Sequence, residues 1–205
     1  MNKEKKKDNK GSLRRTLIEW GVILGVIGLL YITGWHTQVL GTMQRGLLAT
    51  GLIKPDIPAE TENLPEASRE FYFADLNGSV SSLKEFEGKA VFLNIWATWC
   101  PPCIAEMPSI QALYIDVKDN QNVAFVLVSM DEDFEKAKAF MEKREYDLPI
   151  YHYRTKAPGT YQSTVIPTTY VISADGKLAM EKRGLAKYDT DEFKDFLISL
   201  APSPL

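Results

Sequence analysis

Apolar residues are distributed in two different ways along the chain. From Thr16 to Trp35, "TLIEWGVILGVIGLLYITGW", one acid, Glu19, stands near the start and no other charge follows. A membrane-spanning helix needs about 20 apolar residues, and this run has that length. A signal peptide has a shorter apolar core that ends at a small-residue cleavage site, and "HTQVLGTMQRG" offers no convincing one. The pattern predicts an uncleaved anchor over 16–35, with Trp20, Tyr31 and Trp35 as interfacial residues. A cleaved signal sequence is the alternative. Further on, Val39, Leu40, Met43, Leu47 and Leu48 fall at helical spacing. They predict an amphipathic helix over 36–52, lying on the membrane surface or against the folded domain. Lys54 to Ser68 carries three prolines among polar residues and reads as a linker, so 36–69 joins the anchor to a domain spanning 70–205.

Within that domain the periods change. "FYF" and the "LNGS" turn predict an opening hairpin. "KAVFLNIWA", Lys89 to Ala97, and "NVAFVLVSM", Asn122 to Met130, are continuous apolar runs of strand length, as expected of strands buried on both faces. From Pro101 onward Ile104, Met107, Ile110, Leu113, Tyr114 and Val117 recur every three or four residues, a helix. "EDFEKAKAFMEKRE" predicts a second helix, and its acidic start, "DEDFE", reads as a cap. Asp175-Gly176 sits between two strand-like runs and predicts a hairpin. "DTDEFKDFLISL" predicts a closing helix capped by Thr190 or Asp189. Strands alternating with helices imply an α/β fold with a parallel sheet covered on both faces, the hairpin adding antiparallel strands.

Charge adds a direction. The first fifteen residues hold seven Lys/Arg against two acids, while the whole chain carries a formal charge of −3. The remainder is therefore acidic, which argues against a nucleic-acid partner. Basic residues stay on the cytoplasmic side, so 1–15 reads as a cytoplasmic tail. The domain is then expected on the extracytoplasmic side, where disulfides persist.

The chain has only two cysteines, Cys100 and Cys103. Structural zinc needs four N or S ligands, and the two histidines, His36 and His152, lie at the membrane border and in the domain. No metal or other cofactor is expected. A purely structural disulfide gains most when it closes a long loop, and this one would close a very short one. The remaining reading is a redox-active dithiol. Cys100 follows a buried strand and starts a helix, where free N–H groups and the positive end of the dipole favour a thiolate, the nucleophile of disulfide exchange. Pro101 and Pro102 suit the first helical turn but remove two donors, which leaves the amide of Cys103. Fewer donors imply a smaller fall in thiol pKa and hence a reducing or mildly poised couple. His152, beside aromatics, reads as structural.

"FLNIWATWCPPCIAEMP" resembles the active-site segment of thioredoxin-like proteins, specifically the membrane-anchored TlpA/ResA-like thiol–disulfide oxidoreductases. "STVIPTTYVISADGKL" resembles that family's cis-proline loop and following hairpin. The resemblance covers about Glu70 to Leu200. It implies a thioredoxin-like fold, a central mixed sheet with helices on both faces and an extra strand–helix insertion, after one transmembrane helix. By the same resemblance Cys100 attacks, Cys103 resolves, and the two form the disulfide. Trp99 lines the substrate groove, Pro167 holds the facing loop close, and the Ile166 backbone pairs with an extended substrate segment. Pro108 falls where the family kinks the active-site helix. Asn94 stands where ordinary thioredoxins bury an aspartate, so that proton shuttle is absent. Glu106 recurs in the subfamily, which makes it a candidate proton-transfer base, but it sits a turn into the helix, where the dipole favours a charged carboxylate anyway. With Pro101 and Pro102, these two are the candidate redox-tuning positions.

The implied partners are oxidised envelope proteins, apocytochrome c thiols among them, and a membrane thiol transducer of the DsbD/CcdA type as reductant. The implied location is the bacterial cytoplasmic membrane, single pass, with the domain on the periplasmic side. A thiol peroxidase of the same fold is a rival, although its Thr-x-x-Cys signature is missing because Ala97 stands three before Cys100. A non-catalytic binding module with a passive disulfide is another.

Overall fold

A computed structural model describes residues 9–33, 44, 46, 48, 50, 51, 53–58, 64–155 and 157–202. Contacts divide the chain into two units, Met1–Val39 and Leu40–Leu205. The first contains helix α1, Asn9–Ile32. From Arg15 to Ile32 it is long and apolar enough to cross a membrane, and none of that window is buried in the protein. Of the interfacial residues expected, Trp20 and Tyr31 are exposed, and Trp35 lies outside the described residues. So do residues 1–8 of the basic tail. Of the amphipathic helix expected over 36–52, Leu48 is buried, while Val39, Leu40, Met43 and Leu47 lie outside the described residues.

The second unit is a seven-stranded mixed sheet. Its strands are β1 Tyr72–Ala74, β2 Val80–Ser82, β3 Ala90–Trp96, β4 Val123–Ser129, β5 Ile150–Tyr153, β6 Thr168–Ile172 and β7 Leu178–Arg183. Their spatial order is β2-β1-β5-β4-β3-β6-β7. The opening hairpin is present, β1 pairing with β2. The two continuous apolar runs are β3 and β4, adjacent strands inside the sheet, as their lack of alternation requires. β3 is buried at every residue. It lies parallel to β4 and antiparallel to β6, and β5 continues the parallel set. The Asp175-Gly176 turn joins β6 to β7, with Gly176 at a φ of 91° that favours glycine.

Among the described residues, three helices accompany the sheet: α2 Pro101–Val117, α3 Phe134–Arg144 and α4 Asp191–Ser199. α3 and β5 form the expected strand–helix insertion. Successive side chains of β3 point to opposite faces. Phe92 and Trp96 join Met107, Ile110, Ala137, Met141, Phe193 and Leu197 in one core cluster. Val91, Leu93 and Ile95 join Phe71, Phe73, Leu83, Tyr161 and Tyr170 in another. The helical cover expected on both faces therefore takes unequal forms. α2, α3 and α4 all contribute to the first cluster. The second is closed by the short 3₁₀ segments Leu83–Phe86 and Gly159–Tyr161. The crossovers from β3 to β4 and from β4 to β5 step the same way across the sheet, so crossovers of one hand put both helices on one face.

The segment expected as a linker is instead docked on the domain at its described positions. The carbonyl of Pro65 accepts from Leu178 N (2.8 Å), that of Gly176 from Ala67 N (2.9 Å), and that of Ile53 from Lys187 N (3.0 Å). Glu66 bridges Lys177 through the backbone and through an ion pair. Ile57 and Leu64 pack on the first cluster and Ala67 enters the second. β7 is an edge strand with unpaired backbone groups, and the strap satisfies part of them.

Candidate active site

The register of the sheet assembles the site. Ile95 pairs with Thr168, so the residue before β6, Pro167, faces the end of β3. Beyond Trp96 the chain turns and α2 begins, with Cys100 as its N-cap in extended conformation. Cys100 and Cys103 are joined by a disulfide, their Cα atoms 5.3 Å apart. Ile166-Pro167 is cis, and the Ile166 carbonyl oxygen stands 3.7 Å from Cys100 Sγ. Trp99 is 57 % exposed, Cys100 4 % and Cys103 0 %. The outer sulfur, the flanking tryptophan and the proline loop are thus together. Pro108 lies inside α2.

Pro101 and Pro102 occupy the first two helical positions. The Cys103 amide donates to Cys100 Sγ at 3.3 Å, which makes it the donor that the sequence reading assigned. An N-cap side chain takes its bonds from the second and third helical N–H groups, and the second is missing at Pro102. Pro102→Ala is therefore expected to add one N–H to the Cys100 thiolate. Hydrogen bonds to charged groups are worth about 1.5–3 kcal/mol, which corresponds to a rise in reduction potential on the order of 30–60 mV. Equilibration of the full chain with glutathione mixtures reads the shift, and an unchanged potential would show that donor count does not set it.

Asn94 and Glu106 meet behind the cysteines. Asn94 shares a face of β3 with Phe92 and Trp96, the face that α2 covers. Glu106 lies three residues after Cys103 and four before Ile110, within the buried stripe of α2. Asn94 Nδ2 donates to Glu106 Oε1 (2.9 Å) and to Thr169 Oγ1 (2.9 Å). The Ala186 amide donates to Glu106 Oε2 (3.3 Å), and the Tyr188 hydroxyl to Thr169 Oγ1 (2.7 Å). Burial pushes the Glu106 carboxyl up to about 8, against the opposing pull of the bonds from Asn94 and Ala186. The expectation of a dipole-favoured charged carboxylate is overturned here, because desolvation outweighs the dipole once the group leaves water. At neutral pH this shift favours the protonated form of Glu106. Burial also raises the Tyr188 hydroxyl, with the Glu106 charge adding to it.

A second carboxylate positions the loop before Cys100. Asp131 is buried at the end of β4. Its Oδ1 accepts from Thr98 Oγ1 (2.6 Å), and its Oδ2 from Thr98 N (3.0 Å) and Ser129 Oγ (2.8 Å). Asp133, two residues on, is the cap of α3 through Glu135 N. The acidic start therefore divides between a cap and a clamp on the active-site loop. His152 is structural as expected. It stacks on Phe134 at 4.9 Å, and its Nε2–H donates to the Asp131 carbonyl at 3.1 Å. Thr98, Asp131, Thr169 and Tyr188 were not singled out from the sequence. For Asp131 the signal was its place at the C-terminal end of a parallel strand, next to the strand end that carries Cys100, where α/β sheets gather their functional loops. Among the described residues no group of His, Cys, Asp and Glu has the makings of a metal site.

The comparisons agree with this geometry. A family model described as redoxin matches residues 59–196. The chain is 31 % identical over 144 residues to the thiol-disulfide oxidoreductase ResA of Bacillus cereus, covering 70 % of this chain and 82 % of that one. It is 28 % identical over 204 residues to the ResA of Oceanobacillus iheyensis, covering 98 % and 94 %. The crystal structure of a thiol:disulfide interchange protein of the thioredoxin family from Chlorobium tepidum superposes with a TM-score of 0.55 at 25 % identity, covering 69 % of this chain and all of that one. The chain belongs to the redoxin family and is a thiol–disulfide oxidoreductase of the ResA, thioredoxin-like kind.

Proposed function

We propose that the protein is a membrane-tethered, outward-facing reductase of protein disulfides in the bacterial envelope. The observation that supports the reducing direction most is the single backbone donor at Cys100 Sγ, which leaves the thiolate weakly stabilised and the dithiol ready to give up electrons. Cys100 attacks one sulfur of the substrate disulfide, and the other sulfur leaves as a thiolate that takes a proton. Cys103 then attacks Cys100 Sγ, releases the second substrate thiol and closes the Cys100–Cys103 bond. The substrate gains two electrons and the protein loses two. The chain has no third cysteine, so a separate dithiol must restore it, and a membrane transducer of the DsbD/CcdA type suits a partner tethered in the same bilayer. Oxidised envelope proteins in general, with apocytochrome c whose heme-binding thiols are joined as a disulfide included, are the substrates.

Two measurements test this reading. The Cys100–Cys103 potential is expected near that of thioredoxin, about −270 mV, and a value near the −120 mV of a strong oxidant overturns the direction. A reporter active only in the cytoplasm, fused after Leu205, is expected to be silent because the basic residues precede the apolar run. A bright reporter overturns the orientation.

A further inference from the structure

We propose that a cavity beside the reactive sulfur receives one aromatic or large aliphatic side chain of the protein substrate, from a residue within about two positions of the attacked cysteine. The inference rests on the exchange reading above and adds the class of sequence that the site prefers. The cavity measures about 360 Å³ and is lined by Ile95, Met130, Tyr153, Tyr161, Thr164 and Ile166 among others. That is the low end of the range for small-molecule sites, suited to a side chain.

Its chemistry selects an uncharged occupant. No Asp, Glu, Lys or Arg lines it among the described residues. Several polar groups of its wall are already engaged. Tyr161 Oη donates to the Ser68 carbonyl (2.7 Å), Tyr153 Oη accepts from Ala157 N (2.9 Å), and Ser163 Oγ donates to the Val165 carbonyl (2.8 Å). Apart from the Thr164 hydroxyl and the Gln162 side-chain oxygen, the wall offers a ligand ring and aliphatic surface. Met130 in the wall and Val165 beside it are exposed apolar residues, and Trp99 flanks the sulfur from the active-site loop.

Its position ties it to the reaction. Ile166 belongs to the cavity wall and also holds its carbonyl 3.7 Å from Cys100 Sγ. A substrate segment that brings its disulfide to Cys100 along this loop therefore passes the mouth of the cavity. An extended segment advances about 3.3 Å per residue, so a neighbour one or two residues from the attacked cysteine reaches it.

The test uses the reduced full chain in detergent micelles and seven-residue peptides, each with one cysteine blocked by 2-mercaptoethanol as a mixed disulfide. Residues two before, one before, one after and two after the cysteine are varied in turn among Phe, Leu, Ala and Asp. The rate of appearance of free peptide thiol gives kcat/KM. At one position Phe or Leu is expected to exceed Ala and Asp by about tenfold or more. That ratio is expected to fall toward one in Ala157→Leu, which fills the cavity, and in Met130→Ser, which strips its exposed wall. Being a ratio within each variant, it is insensitive to a general loss of activity. Equal rates for all peptides, or a preference that survives in both variants, overturns this inference alone. No reduction of any peptide overturns the reductase reading and this inference with it.

Discussion

Replacing Glu106 with glutamine is expected to remove most of the pH dependence of stability between about pH 5 and 8, and to make the protein more stable than the wild type above that range. The folded carboxyl titrates at about 8 against an ordinary 4.5. Between those values the native state binds a proton that the unfolded chain has released. Wild-type stability is therefore full below about 4.5 and is lost as pH rises through about 8, by roughly 5 kcal/mol across the window. Glutamine carries no charge to desolvate. It also has one carbonyl oxygen where the carboxyl accepts from both Asn94 and Ala186, so one buried donor loses its partner at a cost of about 1–3 kcal/mol. The variant is then the less stable protein at pH 5 and the more stable one at pH 9. Urea midpoints of the oxidised full chain at the two values read the crossing. Parallel curves would show that Glu106 is ionised when folded. The pH profile of disulfide exchange in the variant is expected to lose any inflection near 8.

Cys103→Ser is expected to stop turnover and accumulate covalent complexes, while Cys100→Ser stops turnover and accumulates few. The asymmetry follows from position. Cys100 sits at the helix N-terminus beside the exposed Trp99, and Cys103 is closed off one turn in. Without Cys103 the first exchange proceeds and nothing resolves it. Non-reducing gels of membranes carrying each variant show the difference. The trapped proteins report the substrate range: mostly apocytochromes would mean a dedicated maturation role, and a varied set the general reductase proposed above. Absence of complexes from both variants, with the fold intact, would leave a passive disulfide.

The parts of the site that lie in one stretch of chain were legible before the structure. "WCPPC" states its own chemistry, and the apolar runs at 89–97 and 122–130 have the length and continuity of the buried strands β3 and β4. What escaped depends on partners distant in sequence. Glu106 interrupts an apolar stripe that continues through Ile110, Leu113 and Val117, and that interruption was the available sign of burial. The sign became decisive only when Asn94, twelve residues upstream, was seen to face it. Asp131 was indistinguishable in composition from Asp133, since two carboxylates before a helix both read as caps. Only the adjacency of β3 and β4 separates the one that caps from the one that holds Thr98. The proline-rich stretch 54–68 reads as a spacer because polar composition says nothing about backbone partners, and at Pro65 and Ala67 those partners are Leu178 and Gly176.

The docking of that stretch has a consequence for how copies of the protein behave when crowded. An open sheet edge is a template on which a neighbour's backbone can add, the first step toward polymerisation. Here Pro65, Glu66 and Ala67 already occupy part of the β7 edge. The opposite edge, β2, is three residues long, too short to hold a stranger in register. The fold thus covers part of one flank with its own chain and keeps the other short, which leaves little open edge for a second copy to extend.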